Sequence, residues 1–376
     1  MGDGSGAVEG VVVRPDAWKG TRVLVTGHTG FKGAWLTLLL ADAGATVHGY
    51  ALDPPTKPSF FRRCGIEAML ASHHVADVRD PERLRAAFDT ARPDVVFHLA
   101  AQSLVRRSYR EPVATYATNV MGTVNLLEAV RLVGGVRAVV NVTSDKCYEN
   151  LERPEPYREG DAMGGHDPYS SSKGCAELVA SAYARSFLGP AGIRLASARA
   201  GNVIGGGDWA EDRLVPDLVR AMESGRTLPV RNADATRPWQ HVLEPLSGYV
   251  MLAERLLAGD GRAEGGWNFG PSVRDVQPVR WVLDRLCPFL PGASWTAGPR
   301  PDLHEAGMLA LDSTKASREL GWCPGWDLSE AIEATAEWYR AHVAGGDVRA
   351  LSLDQARRHA DAQRARRAAH AGSLTA

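Results

Sequence analysis

The stretch Arg22-Val-Leu-Val-Thr26-Gly27-His-Thr-Gly30-Phe-Lys-Gly33, with the helical pattern of Ala34 to Ala43 behind it, decides the fold. A short β-branched apolar run, a glycine turn and a helix in direct succession form the context a dinucleotide-binding turn requires. Gly27, Gly30 and Gly33 let the backbone turn tightly and come close to a pyrophosphate, whose charge meets the free N–H groups at the helix N-terminus. A second strand, Thr46 to Leu52, ends near Asp53, twenty residues past Gly33, where a carboxylate can accept hydrogen bonds from ribose hydroxyls. No arginine stands beside Asp53, which favours NAD over NADP. Pro54 and Pro55 follow it, so Asp53 equally suits the opening of a turn.

Working outward, the alternation continues. Strands are expected near His74 to Ala76, over Asp94 to Leu99 and over Val136 to Val142, with helices over Pro81 to Ala91 and from about Pro112 to Leu132. Strands and helices alternating through short links imply an α/β fold with a doubly wound, Rossmann-type parallel sheet. Ligands of such sheets bind beyond the carboxyl ends of the strands. Three segments end there: the Gly27 turn, Leu99-Ala-Ala-Gln102-Ser103, and Asn141-Val-Thr-Ser144-Asp145-Lys146. Three polar side chains at the tip of an apolar strand are seldom needed for packing, although a Ser-Asp pair also forms turns.

A further helix opens at Asp167-Pro168-Tyr169-Ser170-Ser171-Ser172-Lys173 and runs to about Phe187. Asp167 is a good N-cap and Pro168 suits the first helical position. Tyr169 and Lys173 are then i, i+4 neighbours on one face. An ammonium beside a phenol favours the phenolate and brings a general base nearer neutral pH. The spacing alone is common on surface helices, and Ser144, Asp145 and Lys146 at a strand tip are what give it weight.

The rest of the composition bounds the function. Lys+Arg 43 against Asp+Glu 44 leaves a net charge of −1, so no global field draws the chain to nucleic acid or an anionic membrane. Five cysteines, without CxxC spacing or a matching histidine cluster, argue against a disulfide framework or a metal site and for a reducing, cytoplasmic setting. No apolar run is long enough to span a membrane, and no export signal is read at the N-terminus.

Taken together, Gly27-x-x-Gly30-x-x-Gly33, Ser144 and Tyr169-x-x-x-Lys173 resemble the extended short-chain dehydrogenase/reductases that act on nucleotide sugars. The likeness runs from about Thr21 to Tyr339. Longer strings narrow it to the nucleotide-sugar 4,6-dehydratases, and within these to the group acting on CDP-glucose. They are TGHTGFKGAWL from Thr26, AQSLVRRSYREPVATYATNV from Ala101, TSDKCYEN from Thr143, GGHDPYSSSK from Gly164, RAGNVIGGGDWAEDRLVPD from Arg199 and TRPWQHVLEP from Thr236. The resemblance implies a lyase using NAD. Tyr169 takes the proton of the sugar's C4 hydroxyl, Lys173 lowers its pKa and holds the nicotinamide ribose, and Ser144 hydrogen-bonds the same hydroxyl. Asp145 gives a proton to the departing C6 oxygen, which requires its carboxyl to be neutral and its pKa raised. Lys146 either removes the C5 proton, with its pKa lowered, or orients Asp145 and stabilises the enolate. Dehydratases of other nucleotide hexoses and 4-epimerases share much of this pattern; an epimerase has no use for an acid at C6.

Further roles carry over by resemblance only. Phe31 and Lys32 belong to the cofactor turn, Asp77 and Val78 to the adenine, and Leu99, Ala100, Ala101, Gln102 and Thr118 to the cofactor's middle. Ser103 lies close enough to touch the sugar. Arg237 matches a pyrophosphate arginine, supported by Arg213, Leu214, Arg231 and Asn202, while Asn268 and His304 match positions lining the nucleotide. The organisation expected is a flexible tail over 1–20, an NAD-binding domain over 21–200 with returns from the second half, a substrate lobe over 201–342 and an Ala/Arg-rich solvated tail over 343–376. Trp18 is placed on the domain surface. The helices at 112–132 and 167–187 are the pair through which relatives dimerise, so a homodimer or dimer of dimers is expected.

Overall fold

The computed structural model describes residues 15–298 and 308–374. Its centre is a seven-stranded, wholly parallel sheet of β1 (Arg22–Thr26), β2 (Thr46–Ala51), β3 (Ser72–Val75), β4 (Val95–His98), β5 (Ala138–Val142), β6 (Arg194–Ala200) and β7 (Gly265–Phe269). The spatial order is β7-β6-β5-β4-β1-β2-β3. Side chains alternate between two cores, as the period of two in a strand requires. Val23, Val25, Phe97 and Val140 join one core with α1 (Phe31–Asp42), while Leu24, Val96 and Val139 face the other with α2 (Pro81–Ala91). The strand order reverses between β1 and β4, and the crevice there, above Thr26 and His98, is where this architecture binds ligands.

The helices begin where their caps dictate. Asp80 accepts from the backbone N–H groups of Glu82 and Arg83 with Pro81 in the first turn of α2. The helix expected over 112–132 is continuous but not uniform: Pro112–Tyr116 leads into a π-turn at Ala117–Met121 and then α3 (Gly122–Val133). The π-turn, a feature frequent at functional sites, presents Asn119 to the loop after β4, where it accepts from Gln102 N at 2.8 Å and donates to Gln102 O at 3.0 Å. The helix α4 (Pro168–Tyr183) is capped by Asp167 and also ends in a π-turn, Ala184–Leu188.

Beyond β6 the chain builds a smaller layer of short paired strands, 203–204 with 240–241, 236–238 with 276–278, and 228–230 with 295–297, together with α5 (Leu214–Glu223). It then re-enters the first half: α6 (Leu243–Leu257) packs against β5 and β6, and β7 adds to the edge of β6. The chain closes with α7 (Leu328–Val343) and α8 (Val348–Leu374).

Two expectations are corrected. Trp18 is not on the surface: Pro15–Trp18 forms a helical turn, and the indole is fully buried, tilted against Phe97, with Nε1 donating to Glu254 at 2.9 Å. An indole is a large apolar body with one donor, and α6 supplies both cover and acceptor. Residues 1–14 lie outside those described. The solvated tail is instead α8, whose Ser352, Gln355, His359 and Gln363 are buried. Gln363 Nε2 donates to Cys323 O at 2.7 Å and Ser247 Oγ at 3.1 Å, Gln355 Nε2 donates to Ala334 O at 2.8 Å, and Trp338 Nε1 donates to Ser352 Oγ at 3.0 Å. Polar side chains that find partners can line a docking face as apolar ones do.

Candidate active site

The glycine turn has the shape its sequence implies. Gly27 takes φ +74°, and a Cβ there would stand 2.7 Å from Ala100 N in the loop after β4. A Cβ on Gly33 would stand 2.2 Å from Gly27 O. Gly30 caps α1 with no side chain in the way, leaving the first N–H groups of the helix, at Phe31 and Lys32, open to an anion. Thr26 fixes the neighbouring tip: its Oγ1 accepts from Leu99 N and Ala100 N, both at 3.2 Å, and bonds His98 Nδ1 at 2.8 Å. Burial, and then the charge of Lys173, pulls the His98 imidazole down to about 3, so it stays neutral. Asp53 lies exposed just past β2. Asp77 is gripped by Arg79 at 2.6 Å, which holds its carboxyl below the usual range, while Val78 packs over Gly122. Ala101 and Gln102 are half-buried, as is Thr118 within the π-turn, and Ser103 is exposed.

The catalytic candidates converge on the tip of β5. Ser144 caps a short 3-10 turn, Asp145–Cys147, accepting from Lys146 N at 3.3 Å while its hydroxyl donates to Asp145 Oδ1 at 2.8 Å. Tyr169 and Lys173 come from α4, and all four of Ser144, Asp145, Tyr169 and Lys173 are buried; Lys146 is half-buried. Ser172, facing the same way as the cofactor loop, receives a hydrogen bond from Asn119 Nδ2 at 2.8 Å. Lys173 Nζ lies 3.4 Å from Val142 O.

The electrostatics follow from that burial. Desolvation raises the Asp145 carboxyl above its ordinary range, opposed by the charge of Lys146, the Ser144 hydroxyl, Lys32 and Arg237. The same desolvation lowers Lys173 to about 8, with Glu177 and Cys147 opposing it. It lowers Lys32 to about 8 as well, helped by Arg213. Tyr169 differs from expectation: burial pushes its phenol up to about 12, and what lowers it is chiefly Ser144, then Arg213, against the charge of Asp145. Lys173 is not among the groups that lower it. A buried phenolate costs more desolvation than the neutral phenol.

The expected substrate cations lie in the second lobe. Arg213 pairs with Asp208 at 3.7 Å and precedes Leu214, the first residue of α5. Arg231 and Arg106 share one carboxylate oxygen, Asp212 Oδ1, at 3.2 and 3.0 Å. Arg237 lies half-buried in the strand 236–238 and is close enough to bear on Asp145; Asn202 is half-buried beside Gly201. Asn268 does not serve as expected. It is fully buried in β7, its Oδ1 accepting from Tyr148 Oη at 2.7 Å and its Nδ2 donating to Tyr157 O at 2.9 Å and Asp312 O at 3.2 Å, so its amide is committed to the protein. His304 lies outside the described residues.

Gly201, Glu177 and a second role for Lys32 escape the sequence reading. A Cβ at Gly201 would stand 2.8 Å from Asp145 Oδ2, so only glycine leaves that oxygen room. Lys32 bears on Asp145 as well as lining the cofactor turn. Glu177, one helical turn past Lys173, forms a buried ion pair with Arg199 at 2.8 Å; the i, i+4 spacing from Lys173 was the available signal.

Residues 23–264 match the family model described as the NAD dependent epimerase/dehydratase family. The chain is 52% identical over 337 residues to a CDP-glucose 4,6-dehydratase of Salmonella typhimurium, covering 88% of this chain and 94% of that one. It is 30% identical over 332 residues to a dTDP-glucose 4,6-dehydratase of Streptomyces griseus, covering 86% and 95%. Among solved structures, a Thermus thermophilus UDP-glucose 4-epimerase in complex with NAD matches with a TM-score of 0.72 at 27% identity, covering 85% of this chain and 99% of that one. A Streptomyces venezuelae dTDP-glucose 4,6-dehydratase with NAD bound matches with a TM-score of 0.71 at 27% identity, covering 87% and 99%.

Proposed function

The chain belongs to the NAD dependent epimerase/dehydratase family, and from that premise we propose that it is a nucleotide-sugar 4,6-dehydratase, a hydro-lyase that converts CDP-D-glucose to CDP-4-keto-6-deoxy-D-glucose and water. The observation that carries the reading is Asp145: a buried carboxyl, raised by desolvation, one residue past Ser144 in a chain 52% identical to a CDP-glucose 4,6-dehydratase.

The residues present fit NAD. A Cβ at Gly27 or Gly33 would collide with neighbouring backbone, so glycine lets the turn close tightly onto α1, and the open N-terminus of that helix suits a diphosphate. Held there, NAD would supply a reversible hydride acceptor for redox chemistry at C4 and C6 of the sugar. The protein's work is with protons. Tyr169 Oη receives the proton of the C4 hydroxyl, and Ser144 Oγ holds that hydroxyl in line. Lys173, charged below about 8, anchors a ribose. Once C4 is a ketone the C5 proton is acidic, and Asp145, its carboxyl raised above the ordinary range by burial, protonates the C6 oxygen as it leaves. Lys146, half-buried at the pocket wall, removes the C5 proton or orients Asp145. Arg237, Arg213 and Arg231 meet the substrate's diphosphate. An epimerase of the same fold has no need of Asp145.

We also read the protein as a homodimer. Among the described residues, six of the twelve exposed large hydrophobics (Val113, Tyr116, Met121, Leu132, Leu178 and Phe187) lie on the two helical runs 112–133 and 168–188. The five cysteines are all free, in keeping with a cytoplasmic enzyme; among the described residues no helix is long and apolar enough to cross a membrane.

The test is to incubate purified protein with CDP-, dTDP-, UDP- and GDP-hexoses and follow product mass. Loss of water from CDP-glucose is expected. Isomerisation without loss of water would overturn the lyase, and turnover of the dTDP sugar alone would overturn the nucleotide.

A further inference from the structure

Behind the catalytic residues lies a buried charge pair that the reaction as described does not use. Glu177 and Arg199 are each 4% exposed. The guanidinium meets the carboxylate through two parallel bonds, Nε to Oε1 at 2.9 Å and Nη2 to Oε2 at 2.8 Å, the strongest geometry open to such a pair. Its third nitrogen, Nη1, donates to Tyr148 Oη at 2.7 Å and to Glu159 O at 3.1 Å. Glu177 Oε1 accepts in addition from the hydroxyl of Thr143 in a short bond. A Cβ at Gly266 would stand 2.4 Å from Arg199 Nη2, so β7 needs glycine there for the arginine to fit.

The placement of the two ends gives the pair its meaning. Thr143 immediately precedes Ser144, and Tyr148 follows Lys146 by two residues, so the pair grips the segment 144–146 on both flanks. Glu177 itself stands on α4 four residues past Lys173 and eight past Tyr169, on the same helical face. One buried network thus ties the strand tip that carries Ser144 and Asp145 to the helix that carries Tyr169 and Lys173. Buried ion pairs are weak sources of stability and are better explained by what they hold in place.

We propose that Glu177 and Arg199 are positioning residues of the active site, fixing the Ser144–Lys146 segment against α4 and keeping a negative charge one turn behind the Lys173 ammonium. This rests on the reading of Tyr169 and Lys173 as the hydride-transfer base and its partner. The charged and titratable groups around Lys173 come from each element packed on it: Glu177 and Tyr169 on α4, Cys147 on the turn after β5, His98 on β4 and Lys32 on α1. His98 is neutral, so Glu177 is the anion that sustains the ammonium.

The experiment is the pH profile of kcat in the full-length protein for Glu177→Gln and Glu177→Asp, with thermal unfolding and NAD binding measured alongside. In Glu177→Gln the alkaline limb, where Lys173 loses its proton, is expected to move about one pH unit lower, with KM unchanged. Glu177→Asp keeps the charge but shortens the reach, so its limb should stay in place while kcat falls about tenfold. A folded Glu177→Gln with the wild-type limb and kcat overturns the proposal, because a purely structural pair would shift the unfolding temperature and leave the limb alone. If Glu177→Gln does not fold, wild-type kcat in Glu177→Asp overturns it equally. Should the wild-type protein dehydrate no nucleotide sugar, the functional reading fails by itself. The pair is then read from the Lys173 titration followed by NMR in lysine-labelled Glu177→Gln and wild-type protein: a titration lowered by about one pH unit in the glutamine variant is expected, and equal titrations overturn the proposal.

Discussion

Asp145 and Glu244 are both carboxylates shut away from water, one at the tip of β5 and the other at the start of α6, and the protein treats them in opposite ways. Glu244 accepts the backbone N–H groups of Gly325 and Trp326, each at 2.8 Å, and faces His359 Nε2 at 2.8 Å. Asp145 receives the Ser144 hydroxyl at 2.8 Å, and its second oxygen looks toward Gly201. Burial is the same in the two places. The number of donors is not: two backbone N–H groups tie Glu244 into a seam, while the Ser144 hydroxyl is the side-chain donor to Asp145.

The comparison breaks most visibly at Asp145. Replacing it by Asn should lower the rate of dehydration by about 10²–10⁴-fold, the usual worth of a general acid, while reduced nicotinamide still forms on mixing with substrate. Product mass and nicotinamide absorbance read the two steps separately, and near-normal turnover would remove Asp145 from its role. Glu244→Gln should do the reverse. It leaves a buried backbone donor stranded at a cost of about 1–3 kcal/mol in urea unfolding, with kcat unchanged in the folded protein.

A pH series sharpens the contrast. The Asp145 carboxyl has a folded pKa raised above its ordinary value of 3.8, so the folded protein binds that proton more tightly than the unfolded chain does. Its favourable contribution is fully present below 3.8 and is lost as pH rises through the folded pKa. Asp145→Asn lacks this loss, and its unfolding free energy should gain on wild type over that window by about 1.4 kcal/mol for each unit by which the pKa is raised. A constant difference across pH would count against the buried acid. The smallest effect belongs to the seam: Ser352→Ala strands the Trp338 indole N–H and should cost about 1 kcal/mol with no change in kcat.

Legibility in the sequence followed the kind of physics involved. The helix Pro81–Ala91 could be read to the residue because its Asp80 cap and Pro81 are local signals. The cofactor turn and the Tyr169, Lys173 spacing were equally local. What could not be read depends on distant partners. The α8 helix hides its docking face because the buried polar residues Ser352, Gln355, His359 and Gln363 interrupt the apolar Val348, Ala356 and Ala360, which weakens the apolar period. Trp18 finds Glu254 across 236 residues of chain. Asn268 sits at the right place in the sequence for a ligand contact, but Tyr148 and Tyr157 claim its amide first. The Tyr169 phenol shows a subtler failure: proximity of a lysine suggests activation, yet depth of burial governs both groups and raises the phenol instead.

The seventh strand has a consequence for how the chain is made. Among the described residues Gly265–Phe269 pairs only with Arg194–Ala200, and it is synthesised some sixty-five residues after that partner. Until it emerges, β6 presents the open backbone donors and acceptors of Leu195, Ser197 and Arg199, an unpaired edge able to join another strand. A nascent chain stalled before Gly265, or a fragment cut there, is therefore an aggregation hazard. Completion of the sheet and protection from self-association arrive together, with five residues from the far lobe.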